Sequence, residues 1–572
     1  MLLAQGCNQA PTSSHSGAIQ PKRPADFKPF RYKYTIEQLY ANFSEDMMKR
    51  AADDMKKLAD VNEKGPYKPT VESLDKHPMP EWFEDAKLGF FMDWGPWTAA
   101  SYATPRDPKQ GTGGSYPDWY EFLMNTAYKA YHDSVFGADF RRDDLLPMLT
   151  GSNFNAEEYM NLAVKAGAKY FVPFSRHHGG WAMWESQYTF RNAMEMGPKR
   201  DIYKEIADAA RKKGIKLGLY FSVSEWEYPV IVDRRVTQWD PTDHLGVFKD
   251  GLGLFLEQRA YPSPPKNIIT GFFPAVADGM SSGKIPVRDY YSDYMMPLFK
   301  EAVDKFDPDI VWYDGSGAQP EVTGTPKLSA YYYNQAIGRK DVVINDRAGS
   351  SLSASDMAKV MEYMGNKELE KAMAIYNNAN RLGDYRTPEY NFVETASDGK
   401  KWEVCRSISP AFGYNWTDSE ENSQSSEELI KMFIGIVAGN GNLLLVINPD
   451  RTGKLSEVQK SRLVELGAWL KVNGEGIYAT RPWSTLKEGN NYFTRSKDGK
   501  FVYVHCIEWP GKTLIVKGIS PVNGSVITML GVNNPFQWKK TGTDLEITIP
   551  DNLQNESNRT CKYAWVMKVQ VK

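Results

Sequence analysis

Cysteine is scarce in this chain: four residues in 572, Cys7, Cys405, Cys506 and Cys561, with no CxxC and no close-spaced pair. Such spacing speaks against a zinc site and against a disulfide framework. Cys506 and Cys561 can be paired inside one C-terminal domain on paper, but two thiols buried among strands are the favoured reading. An excess of one charge is also missing, because 69 Lys and Arg are balanced by 71 Asp and Glu. A nucleic-acid-binding surface needs a basic patch, and none stands out, so nucleic acid is not expected as a partner. No window approaches the roughly 18 apolar residues that a membrane span requires. Histidine is rare, seven in all, without an HxH or HExxH pattern, so a metal site is not expected. No glycine fingerprint follows the first apolar strand, which makes a dinucleotide-binding fold the poorer fit.

What is present is globular: hydrophobic residues make up 41% of the chain and charged residues 24%, well outside the composition of a disordered protein. The length suits three or four domains of about 150 residues, or one barrel of about 250 with attachments. Aromatics reach 13%, with 16 Trp and 32 Tyr. That abundance suits stacking against sugar rings, and aromatic-rich β-domains give the same number. The first residues, MLLAQGC followed by NQAPTSSHSG, form a short apolar stub ending in Gly6-Cys7 and then a polar tail. This reads as the remnant of a bacterial lipoprotein signal, with a lipid anchor at Cys7 and an exported, periplasmic or surface-associated location. The plainer alternative is a disordered tail with a chance cysteine.

Residues 1–25 are expected to be a disordered tail, and 26–80 a helix followed by a Pro-punctuated linker. In the helix, Ile36, Leu39, Tyr40, Phe43, Met47, Met48, Ala51, Met55 and Leu58 recur at helical spacing. From 81 to 477 short apolar runs alternate with amphipathic stretches. The runs are AKLGFFMDWG, AKYFVPFSRHH, KLGLYFSVSEW, DIVWYDG, VVINDRAG, WEVCRSI and NLLLVINP. Three of the intervening helical stretches end in Gly or Gly-Asn, as C-terminal caps do. This alternation implies a parallel sheet, and about seven repeats are better explained by a closed (β/α) TIM-like barrel than by an open sheet. Residues 478–572 change texture to short alternating runs split by turn residues, which reads as an antiparallel β-sandwich.

In such a barrel the active site lies at the C-terminal ends of the strands. Those ends carry Asp93-Trp94, His177-His178, Tyr220, Ser224-Glu225-Trp226, Asp314, Asn345-Asp346-Arg347, Glu403 and Asn448. Asp314, after the apolar Ile310-Val311-Trp312-Tyr313, is the sharpest of them. An unpaired carboxylate buried there costs several kcal/mol, so it must meet cations, donors or substrate. Glu403 is the second carboxylate of this kind. A pair of carboxylates facing one pocket suits glycoside hydrolysis, one attacking the anomeric carbon while the other protonates the leaving oxygen. Alone, each is also readable as part of a structural ion pair, Glu403 with Lys401 or Arg406. His177 and His178, as strand neighbours, point to opposite faces and suit hydrogen bonding to hydroxyls better than chelation of one ion.

The runs PEWFEDAKLGFFMDWGPW, DWY, SRHHGGWAMWES, RDIYKEIADAARKKGIKLGLYFS, DIVWYDG, INDRAG, KWEVC, FGYNW and GNGNLLLVINPDRTG, in this order from about Tyr67 to Pro482, resemble the α-L-fucosidases of glycoside hydrolase family 29. The resemblance implies a retaining exo-glycosidase acting on fucosylated oligosaccharides or glycoconjugates, without cofactor or metal. It makes Asp314 of WYDG the nucleophile and Glu403 of KWEVC the acid/base, with Glu389 of TPEY in reserve. It assigns sugar contacts to Trp119, His177, His178, Tyr220 and Arg347, and places Trp416 of FGYNW beside them. Three positions depart from the family: Asp93 stands for a histidine, Asp118 for a glutamate and Gly179 for an aspartate. All three lie where sugar hydroxyls are held. An acceptor-only carboxylate cannot hold a hydroxyl as an imidazole donor does. A related sugar such as L-galactose or a substituted fucose is therefore carried as an alternative, and so is a non-catalytic carbohydrate-binding protein of the same fold.

Overall fold

A computed structural model describes residues 20–104, 116–226, 228–232, 234–239, 282–315, 320–349, 382–388 and 400–571, with a few isolated positions between 359 and 375. The apolar runs become strands: β1 (Leu88–Met92), β2 (Tyr170–Pro173) and β3 (Lys216–Ser222) come first. A hairpin, β4 (Tyr228–Val232) with β5 (Arg235–Trp239), leaves the ring, and β6 (Ile310–Asp314), β7 (Val343–Ile344), β8 (Trp402–Ser407) and β9 (Gly441–Ile447) return to it. Seven strands form one parallel sheet in the order β7-β6-β3-β2-β1-β9-β8. Its two edges are joined through a two-residue segment, because Tyr385 bridges Asn345 and Arg386 bridges Trp402, both in parallel sense. Backbone bonds secure this seam: Asp384 N donates to Ile344 O at 2.8 Å and Glu403 N donates to Arg386 O at 2.8 Å. The strands are buried on both faces, which is why β9 reads as an unbroken apolar run, Leu443 to Ile447.

Helices cover the ring, and their ends follow from local sequence. Asn155 Oδ1 accepts from the N–H groups of Glu157 and Glu158 at the start of Ala156–Ala166, and Ser425 and Glu428 form a capping box before Ser426–Ala438. Gly167 and Gly214 end their helices in the left-handed region at φ 90° and 67°, as their position in the sequence suggests. The third expected cap differs: Gly439 stays at φ −80° and Asn440 takes the left-handed turn at φ 71°. Asparagine tolerates that region better than other residues with a side chain.

The N-terminal helical pattern becomes Ile36–Leu39, a π-turn at Tyr40–Ser44, and Glu45–Lys64. It packs on the helix Thr325–Ala336 rather than standing apart. Asn62 Nδ2 donates to Lys327 O at 2.9 Å, and Asn334 clamps Tyr67 both ways, accepting from its N–H at 3.0 Å and donating to its carbonyl at 2.8 Å.

After the helix Glu457–Asn473 the chain turns all-β: β10 (Thr480–Glu488), β11 (Asn491–Ser496), β12 (Phe501–Cys506), β13 (Thr513–Lys517), β14 (Thr528–Met529), β15 (Gln537–Thr541), β16 (Asp544–Thr548) and β17 (Trp565–Gln570). They form antiparallel sheets ordered β10-β11-β12-β17-β14 and β13-β16-β15. Val502, Val504, Met567 and Val569 of one sheet meet Leu514, Val516, Leu545 and Ile547 of the other in a single core. Cys506 and Cys561 are both free thiols, Cys506 buried within this core. Cys561 Sγ instead accepts from Asn473 Nδ2 at 3.3 Å. Among the described residues no helix is long and apolar enough to cross a membrane. Cys7 lies outside the described residues.

Candidate active site

Asp314 is the last residue of β6 and pairs in register with Ser222, the last residue of β3, so both stand at the C-terminal mouth of the ring. Its Oδ2 accepts from the Tyr220 hydroxyl at 2.6 Å and its Oδ1 from Arg347 Nη1 at 3.2 Å. His178 Nε2 stands 3.7 Å from Oδ2. Burial works to raise the proton affinity of this carboxyl. The Arg347 guanidinium and the Tyr220 hydroxyl offset it and hold the pKa at about 2. The carboxylate is therefore ionised at neutral pH, and its side chain is still 22% exposed, which leaves it open to a reactant.

Arg347 is itself fixed. Its guanidinium stacks over Trp312 at 4.6 Å, Nε donates to Thr387 Oγ1 at 3.0 Å and Nη2 to Thr387 O at 3.2 Å. Thr387 in turn donates its hydroxyl to Asp346 Oδ1 at 2.6 Å. Trp312 was not among the residues expected in the site. The available signal is the period of two along a strand, which puts residues 312 and 314 on one face.

The adjoining wall is aromatic. Tyr220 stacks on Phe174 at 4.1 Å, Trp119 meets His178 at 5.6 Å and Trp226 at 5.8 Å, and His177 lies 5.6 Å from Trp226. Behind it, His177 Nε2 lies 3.4 Å from Asp118 Oδ2. Burial drives the pKa of both histidines down to about 3, so both rings are neutral. Asp93 is fully buried, with Oδ1 accepting from Trp97 Nε1 at 2.7 Å. Burial first, and then the nearby Asp118, raise its proton affinity well above that of an ordinary carboxylate. A Cβ at Gly179 would come 2.8 Å from Glu121 Oε2. The carboxylate at that point thus comes from Glu121, ion-paired with Arg191 at 3.2 Å, rather than from residue 179.

Two expected site residues are not brought to Asp314. Glu403 is the second residue of β8, paired in register with Asn442 near the start of β9. It therefore sits at the N-terminal floor of the ring, fully buried, with Oε2 accepting from Tyr170 OH at 2.5 Å and Oε1 from Trp312 Nε1 at 3.1 Å. Burial raises its pKa to about 7 against those hydrogen bonds. The proton affinity suits an acid/base, but the place does not. Trp416 belongs to another aromatic group, its backbone N–H donating to Ser101 O at 2.9 Å and its side chain beside Tyr131, which stacks on Tyr102. Glu389 lies outside the described residues. Among the described residues no group of three or more His, Cys, Asp or Glu is placed to hold a metal ion.

An ionised carboxylate at the mouth of a (β/α) barrel, clasped by arginine and tyrosine and faced by histidines and indoles, defines the class as a barrel glycoside hydrolase. The profile described as Alpha-L-fucosidase matches residues 55–475, and that of the Alpha-L-fucosidase C-terminal domain matches 486–570. The chain belongs to the α-L-fucosidase family. It is 28% identical over 514 residues to the plasma α-L-fucosidase of Rattus norvegicus, covering 88% of this chain and 93% of that one. With the α-L-fucosidase of Branchiostoma floridae it shares 26% over 515 residues, covering 88% and 96%. The solved structure of Thermotoga maritima α-fucosidase in complex with fucose is similar at a TM-score of 0.64 and 26% identity, covering 88% of this chain and 100% of that chain.

Proposed function

We propose that this protein is a retaining α-L-fucosidase that removes terminal fucose from glycans, with Asp314 as its nucleophile. The observation that carries the proposal is the ionised Asp314, open to the mouth and oriented by Tyr220 and Arg347. In the first step Asp314 attacks the anomeric carbon as the bond to the leaving oxygen breaks, and that oxygen takes a proton from an acid. In the second, water delivers its oxygen to the anomeric carbon and its proton to the same group, freeing Asp314. We assign that acid/base to Glu389, since Thr387, two residues earlier, is bound to the arginine that binds Asp314. His177, His178, Tyr220, Trp119 and Asp118 would then hold the hydroxyls and one apolar face of the sugar. The alternative sugar gains no support from Asp93, whose side chain is buried against Trp97. An ionised nucleophile also leaves the non-catalytic reading without a motive.

The test uses 4-nitrophenyl α-L-fucoside beside the L-galactoside. Turnover of the fucoside that falls by about a thousandfold or more in folded Asp314→Asn supports both sugar and nucleophile. Retained activity in that variant removes the assignment. Glu389→Ala should slow substrates with poor leaving groups far more than activated aryl fucosides, and azide should rescue it. If Glu403→Ala shows this behaviour instead, the role moves there. The export and Cys7 anchor form part of the same proposal, on the strength of Gly6-Cys7. Loss of membrane association and of fatty-acid labelling in Cys7→Ala is the expected result.

A further inference from the structure

Two serines order the protons around His178. Ser222 Oγ lies 2.5 Å from the carbonyl oxygen of Ser224. A carbonyl oxygen has no hydrogen to give, so the Ser222 proton is committed there. The same Oγ lies 2.6 Å from His178 Nδ1. With its own hydrogen already used, Ser222 can only accept from the ring, and Nδ1 must carry a hydrogen. Ser222 is fully buried. Burial, with His177 alongside, drives the His178 pKa down to about 3, so the ring does not hold a second proton near neutrality. Nε2 is left with a lone pair, and it faces Asp314 Oδ2 at 3.7 Å.

The backbone is shaped around this chain of groups. Gly315 follows the nucleophile at φ 67°, and a Cβ there would come 2.9 Å from both His178 Cε1 and Ser222 Oγ. Ser224 Oγ donates to Gly315 O at 2.5 Å, tying the serine pair to the residue next to Asp314. Nε2 and the carboxylate oxygen are both acceptors, so a hydroxyl lying between them can only donate. Asp314 attacks the anomeric carbon in the mechanism above, so the nearest sugar hydroxyl is the one on the adjacent carbon, C2.

We propose that Ser222 is a positioning residue that locks His178 in its Nδ1–H tautomer, so that Nε2 accepts a hydrogen bond from the 2-hydroxyl of the bound sugar. This rests on Asp314 being the nucleophile. It also states the sense of the bond: the sugar donates and the protein accepts. Hydrogen bonds to the 2-hydroxyl strengthen in the transition state of such reactions, so the tautomer bears on rate as well as binding.

The first experiment needs no variant of Ser222. In full-length protein labelled with 15N-histidine, the His178 resonances are identified by their loss in His178→Gln. A protonated Nδ1 and an unprotonated Nε2 are expected, and a protonated Nε2 overturns the proposal. The second compares kcat/KM on aryl α-L-fucoside and its 2-deoxy analogue. Wild type should prefer the fucoside, and folded Ser222→Ala should shrink that preference by about tenfold, with Ser222→Thr restoring it. An unchanged preference in Ser222→Ala overturns the positioning role. Failure of the underlying reading would show separately, as activity retained in Asp314→Asn while the histidine spectrum is as expected.

Discussion

Asp314 and Glu403 are carboxylates inside the same barrel, yet their surroundings push their proton affinities apart. For Asp314, burial is outweighed by Arg347 and Tyr220, and the pKa is held at about 2. Ionisation of Asp314 therefore places its limb of the pH–rate profile at low pH. Arg347→Met should raise the Asp314 pKa and move that limb to higher pH by about one unit or more, as a pH–rate profile would show. An unmoved limb would mean that Arg347 does not hold the charge. For Glu403, burial wins and the pKa stands at about 7, against about 4.3 for an unfolded glutamate. Between those values the folded state binds a proton that the unfolded state has lost, so stability is full below that window and falls as pH rises through it. Glu403→Gln should flatten this slope, measured by denaturant titration at about pH 5 and pH 7. The two residues look alike in the sequence, each a carboxylate on an apolar run. What separates them is which end of the strand they occupy: Asp314 closes β6 and Glu403 opens β8. Pattern alone gives no register, so the mouth was legible for one and not for the other.

At the level of elements, the apolar runs named their strands because a parallel strand buried on both faces is apolar throughout. The N-terminal helix was legible from its spacing, but its partner was not. That partner is the helix Thr325–Ala336, more than 260 residues away in sequence, met through Asn62, Tyr67 and Asn334. Asn334 satisfies both backbone groups of Tyr67, so Asn334→Ala removes both of these half-buried hydrogen bonds. A loss of about 1–3 kcal/mol is expected, with faster amide exchange over Glu45–Lys64 than over the barrel strands. Equal exchange changes throughout would argue that the clamp is not local. The segment 227–290 gave no regular pattern in the sequence, and of it the structure describes the hairpin β4–β5 and residues 282–290.

The molecule as a whole was expected as a barrel and a sandwich in succession, which is what the sheets show, but their mutual burial was invisible. Tyr492, Tyr503, Leu530, Ala564 and Val566 of the β-rich C-terminal part join the same apolar core as the barrel helices. Trp469 Nε1 donates to Ala564 O at 2.9 Å, and Arg481 reaches Asp85 at 2.7 Å and Glu84 at 3.0 Å. Scanning calorimetry should therefore give one cooperative transition, and two well-separated transitions would contradict a shared core. The seam at Tyr385–Arg386 has a wider meaning. Where a full strand would anchor the ring along its length, two residues do so here, and the next, Thr387, already grips the arginine of the nucleophile. Wall and arginine clasp are thus one piece of chain. A shift at 385–387 is felt at once by the charge on Asp314, so the closure of the ring and the ionisation of the nucleophile cannot be changed independently of each other.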